Sequence, residues 1–333
     1  MRGLLIAAFL CTVSTWLAAA DEQAATWQIQ ELQGQSHLSK IFFVNERIGW
    51  IQSGVNRLLK TSDGGKTWVP LETNLTERRT SIAGFWFKDE KRGWAAGTVS
   101  RQPTIWESSD GGLSWMVRYS EPPAFDVSTG AILDVRFVDE LYGWAVGYNG
   151  FKAIIKATFD GGKHWITQYS GGEITGQFNL VRFWDTMHGW VLGPNAVMST
   201  SDGGESWELQ YFGGGSLLND IDLVGPSEAW IAGGWGHLLH VQDRTSPAEV
   251  SLEASVGDSF IGWVRFVTKE AGWAWGVKGE IIKTADGGKT WRREASPLKI
   301  GPDSEMRTGD GAKNDSNLYI TVNPGKLLVR PLR

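Results

Sequence analysis

Apolar residues along this chain come in short bursts. Ile41-Phe42-Phe43-Val44, Val135-Arg136-Phe137-Val138, Val181-Arg182-Phe183-Trp184 and Val264-Arg265-Phe266-Val267 each alternate or run apolar over four residues, then stop at a polar turn. A few residues later comes a Gly-Trp pair: Gly49-Trp50, Gly93-Trp94, Gly143-Trp144, Gly189-Trp190 and Gly272-Trp273, with Ala229-Trp230 as a weaker copy. A small-residue stretch and a third apolar run follow, such as Leu58-Leu59-Lys60-Thr61, and then a fourth, such as Trp115-Met116-Val117-Arg118-Tyr119. Bursts this short, bounded by glycine and aspartate, read as β-strands. The pattern predicts units of four strands.

The turn before each fourth strand is nearly invariant. Ser62-Asp63-Gly64-Gly65-Lys66-Thr67-Trp68 returns with centres at Asp110, Asp160, Asp202 and Asp286, each followed by two glycines and, three residues on, a tryptophan. Two consecutive glycines permit positive φ, and the aspartate carboxylate can accept the turn's own backbone N–H groups. A motif recurring every roughly forty to fifty residues identifies a repeat architecture, and four strands per repeat fit a propeller blade.

Full units begin near Ser39, Ser81, Leu133, Leu180 and Trp263, and Leu218 to Val250 forms a sixth whose Asp-Gly-Gly has decayed to Gln242-Asp243-Arg244-Thr245. The C-terminus supplies Leu318–Val322, a turn at Asn323-Pro324-Gly325 and Lys326–Arg330, which read as a blade lacking its last strand. The segment Thr26–Leu32 resembles the strand that follows every Asp-Gly-Gly. The expectation is an all-β, seven-bladed β-propeller of four-stranded blades, with the N-terminal strand closing the C-terminal blade and removing two exposed sheet edges.

Composition adds boundaries. Arg2, an apolar run from Leu4 to Leu17 and Ala18-Ala19-Ala20 have the order of a secretory signal peptide. Residues 1–20 are read as that leader and 21–333 as one propeller domain, periplasmic or secreted. The single cysteine, Cys11, lies in the leader behind Leu10, which is too large for a lipidation site, so neither a disulfide nor a lipid anchor is expected. Net charge is −5 and no Lys/Arg run appears, which argues against nucleic acid as a partner. The 19 tryptophans fall mostly in the repeats and read first as packing material.

The motif Ser-x-Asp-Gly-Gly-x-Thr-Trp is the Asp-box, or BNR repeat. Its pairing with Phe137-Val138 and Gly143-Trp144 ahead of Asp160-Gly161-Gly162 resembles the photosystem II stability/assembly-factor family over roughly residues 26 to 333. The resemblance implies a non-catalytic scaffold on the lumenal or periplasmic side of a membrane. Such a scaffold binds a membrane protein or an assembly intermediate and carries a basic patch on one propeller surface; for this chain the expectation is a monomer without a cofactor.

Two sets of arginines are candidate partner-binding residues. Arg136, Arg182 and Arg265 each stand eight residues before the tryptophan of a Gly-Trp, where other units carry Phe42, Trp86 and Asp222. On channel-lining strands they would point at one volume, either as a carboxylate site, or paired with acids such as Asp134 or stacked on indoles between blades. Arg57, Arg78, Arg79 and Arg101 fall on loops of one face in the first two units, matching the implied basic patch, with Glu121–Gly130 and Gly171–Gln177 as longer specificity loops on the same face. The five repeat aspartates are spread round a ring and read as structural. Of His37, His164, His188, His237 and His240 only the last two are close, at a spacing that puts them on opposite faces of a strand, so no metal is assigned.

An alternative is a sialidase-like or glucan-cleaving glycoside hydrolase, or a glycan-binding propeller. The three channel arginines imitate a sialidase triad. Against it stand the absence of an Arg-Ile-Pro opening and a count of seven units rather than six.

Overall fold

The computed structural model describes residues 26–76, 79–122, 129–212, 217–233, 238–242, 248–249, 261–298 and 307–332. These form seven four-stranded antiparallel sheets, and every regular element among them is a strand. Six sheets are continuous in sequence, at 38–70, 80–120, 130–175, 180–212, 218–249 and 261–294, and are called blades 1 to 6. Blade 7 takes three strands from 307–331 and its outermost strand, Gln28–Glu31, from the other end of the chain. There Gln28 pairs with Val329 and Glu31 with Lys326. Residues 1–20, where a leader is expected, lie outside the described residues.

The two sequence motifs meet across the interfaces between blades. Trp50 of blade 1 stacks on Phe87 of blade 2 at 3.7 Å, and its indole N–H donates to the Gly111 carbonyl in the blade 2 Asp-Gly-Gly turn at 3.0 Å. The stack returns as Trp94 on Phe137, Trp144 on Phe183 and Trp230 on Phe266. At the ring closure Tyr319 takes the tryptophan position, stacks on Phe43 at 4.6 Å and donates to the Gly64 carbonyl. Leu223 and Lys313 occupy the phenylalanine position at the remaining two interfaces. An aromatic pair adds about 0.5–1.5 kcal/mol beyond its buried area, so the repeat is largely a device for joining blades.

The small residue of Gly-Trp has a steric cause. Phe43 lies across Gly49 on the adjacent strand, and a Cβ at Gly49 would stand 2.6 Å from its ring. At the Asp-Gly-Gly turn both glycines are left-handed, as at Gly64 (φ 75°) and Gly65 (φ 84°). On their outer side several of the interface tryptophans are covered by a cation, as Lys60 covers Trp50 at 5.0 Å and Lys283 covers Trp273 at 5.3 Å.

Candidate functional site

Arg136, Arg182 and Arg265 occupy equivalent places on the innermost strands of blades 3, 4 and 6, each paired in register with the tryptophan of its Gly-Trp. They share one electrostatic environment. Burial, with Asp134 opposing it and Arg182 and Arg265 adding to it, brings the Arg136 guanidinium down to about 10. The arginines are nonetheless engaged by the propeller itself. Arg182 donates from Nη1 to Asp134 Oδ2 at 2.6 Å, and Arg265 from Nη1 to Asp220 Oδ2 at 2.7 Å. Arg136 donates to the Phe85 carbonyl of blade 2 at 3.0 Å and sits 3.7 Å from Asp134 Oδ1.

Asp134, Asp220 and Asp310 form a second ring at one structural level. Each accepts a backbone N–H from the next blade's inner strand: Val181 at 3.2 Å, Val264 at 3.1 Å and Ile41 at 3.2 Å. Burial disfavours the charged form of Asp134, but Arg136 and Arg182 hold its carboxyl below the usual range. Burial pushes Asp220 the other way, against the pull of Arg265. The sequence reading found Asp134 as a partner and missed Asp220 and Asp310. Aligning the repeats on their Gly-Trp positions would have exposed Asp220, which stands ten residues before Trp230 as Asp134 stands ten before Trp144; Asp310 stands nine before Tyr319, because the hairpin between them is one residue shorter, and that alignment passes over it.

Arg57, Arg79 and Arg101 are exposed on the opposite side from the Asp-Gly-Gly turns; Arg78 lies outside the described residues. The Ser100 N–H donates to the Arg79 carbonyl at 3.0 Å, which ties the blade 1–2 connection to the Ser100-Arg101 turn and brings Arg79 and Arg101 together. Among the described residues no carboxylate pairs with these three arginines. Three residues of this surface are strained: Arg79 (φ 69°), Ser100 (φ 49°) and Arg101 (φ 75°) all adopt left-handed backbone normally left to glycine or asparagine.

The flanking loops are partly different from expectation. Residues 171–175 continue the outer strand Ile166–Thr175 of blade 3 rather than forming a loop, because Thr175 pairs with Lys152 beyond a bulge that the left-handed Gly171 accompanies. Glu121 is fixed by Lys156 Nζ at 2.7 Å and Asn149 Nδ2 at 2.8 Å, and also accepts from the Tyr119 hydroxyl. Residues 123–128 lie outside the described set.

The turn aspartates serve their own turns. Asp63 Oδ1 accepts the Thr67 N–H at 2.9 Å and the Thr61 hydroxyl at 2.8 Å, while Oδ2 accepts the Thr67 hydroxyl at 2.5 Å. Asp110, Asp202 and Asp286 repeat the arrangement, and His164 replaces the hydroxyl at Asp160. No group of three metal-ligating side chains occurs among the described residues. His240 stacks on Trp230 at 4.3 Å and meets Glu228 at 3.0 Å, a packing role the sequence did not reveal. His237 and the decayed turn at 243–245 are outside the described residues.

Comparison with known proteins follows the same lines. A family model described as photosynthesis system II assembly factor YCF48 matches residues 19–115 and 172–257. Among curated proteins none matches the sequence significantly. A solved structure named YCF48 bound to D1 peptide is 18% identical with a TM-score of 0.72, covering 92% of this chain and 97% of that one. YCF48 from Cyanidioschyzon merolae is 20% identical with the same TM-score, covering 92% and 99%. A catalytically inactive virginiamycin B lyase from Staphylococcus aureus with quinupristin is 11% identical with a TM-score of 0.68, covering 92% and 99%. At these identities the structural likenesses speak for the fold alone.

Proposed function

The chain belongs to the photosynthesis system II assembly factor YCF48 family, and on that premise we propose that it is a non-catalytic, exported β-propeller that acts as a protein-binding scaffold for assembly of a membrane-associated complex. The observation that carries this reading is the surface of Arg57, Arg79 and Arg101, exposed and without a carboxylate partner among the described residues on a chain of net charge −5. Unneutralised guanidiniums on one face favour an acidic partner segment and speed its encounter. Arg78 extends the set in sequence. A relative named as bound to a D1 peptide agrees with a peptide segment as the ligand class.

The channel arginines enter this reading as secondary contacts. Arg182 and Arg265 commit one Nη each to Asp134 and Asp220, and Arg136 commits one to Phe85, so a partner carboxylate would find only their remaining donors. The same commitments weigh against a sialidase-like triad, which needs guanidiniums free for a substrate carboxylate. The turn aspartates, each saturated by its own turn, offer no acid or base for hydrolysis either.

The leader at 1–20 would direct export to the periplasm or outside the cell, and N-terminal sequencing of the mature protein should begin at Asp21. Binding is tested with the double variant Arg57→Glu, Arg101→Glu and a glutamate-rich peptide probe. Affinity should fall at least about tenfold, with a shallower salt dependence, because rim charges act mainly through screened long-range attraction. Unchanged affinity in the variant would overturn the reading.

A further inference from the structure

Beneath the connection from blade 1 to blade 2 lies a cavity of about 180 Å³. Asn74 straps that connection down: its Nδ2 donates to the Trp115 carbonyl at 3.1 Å, and the Trp115 N–H donates to its Oδ1 at 2.9 Å. Under the strap, buried Leu75, Trp106 and Trp115 make an apolar floor, and Gln102 and exposed Ser120 stand at the mouth. Thr80 also lines the cavity. Its hydroxyl is buried and has no hydrogen-bond partner, whereas the neighbouring Thr104 hydroxyl donates to the Gln102 carbonyl at 2.8 Å. An unpaired buried hydroxyl carries a desolvation cost that folding leaves unrecovered.

The cavity adjoins the basic surface through the chain itself. Arg79 precedes Thr80 and Arg101 precedes Gln102, and the hydrogen bond from Ser100 to Arg79 joins the two segments. Small-molecule sites usually enclose about 300–1,000 Å³; this cavity is below that range and suits a single side chain. We propose that it receives one leucine-sized apolar side chain from an extended acidic segment of the partner protein, whose flanking carboxylates lie on Arg79 and Arg101. The arginines then supply encounter and orientation, and the cavity supplies selection for an apolar residue between acids, with the Thr80 hydroxyl free to meet the segment's backbone. This rests on the reading of the protein as a protein-binding propeller and narrows its partner to a sequence class.

The test is fluorescence anisotropy with a labelled peptide carrying one leucine between pairs of glutamates, and a second peptide with glycine in place of the leucine. On the wild-type protein the glycine peptide should bind about 10- to 100-fold more weakly, the value of burying one leucine side chain. Ser120→Trp, at the exposed mouth, should fill the cavity and shrink that difference to under about threefold; Val117→Trp, also exposed at the mouth, is the second filling variant should the first fail to fold. Equal binding of the two peptides by the wild type would overturn the cavity proposal and leave the basic surface standing as a peptide site. Failure of both peptides to bind would overturn the two together.

Discussion

Arg182 of blade 4 and Asp134 of blade 3 face each other across the blade interface at 2.6 Å, and the same carboxylate oxygen accepts the Val181 N–H at 3.2 Å. One side chain therefore fixes both the backbone and the guanidinium of the next blade's inner strand. Asp220 does the same for Val264 and Arg265. At the ring closure Asp310 holds the Ile41 N–H although Phe42 stands where an arginine would be. The backbone bond is thus the common element, and the arginine is added to it.

Asp134→Ala is expected to destabilise the protein by about 3–5 kcal/mol, because it strands a buried guanidinium and a buried N–H. Arg182→Met should cost less, and the double variant should recover part of the loss, since an apolar pair can replace a buried ion pair. Urea unfolding midpoints with slopes held constant measure all three. A double variant no better than Asp134→Ala would mean that the N–H bond, not the ion pair, carries the energy.

Much of the propeller was legible because its motifs are local. Asp63 with Gly64-Gly65, and Gly49 with Trp50, are short enough to be recognised wherever they recur, and the likeness of Thr26–Leu32 to other outer strands disclosed the closure. What those motifs do was not legible, since they act between repeats: Trp50 reaches Phe87 and Gly111, the latter 61 residues away. Glu294 is a harder case. Its partners Trp27 and Arg330 come from opposite ends of the chain, 267 and 36 residues distant. The surface of Arg79 and Arg101 was legible as charge, but its left-handed backbone was not, because arginine is a residue that turn rules place elsewhere.

Glu294 predicts how the ring is locked. It accepts the Trp27 and Trp273 indole N–H groups at 2.8 Å each and the Arg330 guanidinium at 2.9 Å, so blade 6 holds both components of blade 7 through one carboxylate. Deleting residues 26–32 should expose the edge of the Lys326–Pro331 strand and cost several kcal/mol, on the order of the buried groups left unpaired. Glu294→Ala should show a smaller loss of the same kind. Light scattering during thermal unfolding checks both: a truncated protein that stays soluble with an unchanged Tm would contradict the closure's role.

Acid should unfold the protein through its turn aspartates. The N–H and hydroxyl of Thr290 hold Asp286 at about 2, and Asp63, Asp160 and Asp202 are likewise held at about 2 by bonds within their turns. A carboxylate depressed on folding contributes stability that is complete above its unfolded value near 3.8 and is lost as pH falls through the folded value. Between about pH 4 and pH 2 the Tm of the wild type should therefore drop steeply. Asp202→Asn should have a lower Tm than wild type at pH 7 and converge on it by pH 2. Parallel curves over that range would show that these turns do not govern acid stability.

Arg79 and Arg101 predict an opposition between stability and binding. Both hold left-handed backbone, φ 69° and 75°, that costs a non-glycine residue on the order of 1 kcal/mol or more. Glycine removes that strain but adds freedom to the unfolded chain, so the two effects partly offset. Arg79→Gly and Arg101→Gly should each leave stability unchanged or raised by about 0.5–1 kcal/mol, since neither side chain has a carboxylate partner among the described residues. The same changes should weaken binding of an acidic peptide, and the pair together more than either alone. Measuring urea midpoints and peptide affinity on the same three proteins separates the effects. If the glycine variants lose stability while affinity is kept, these arginines serve the fold, and the strained turn needs another cause.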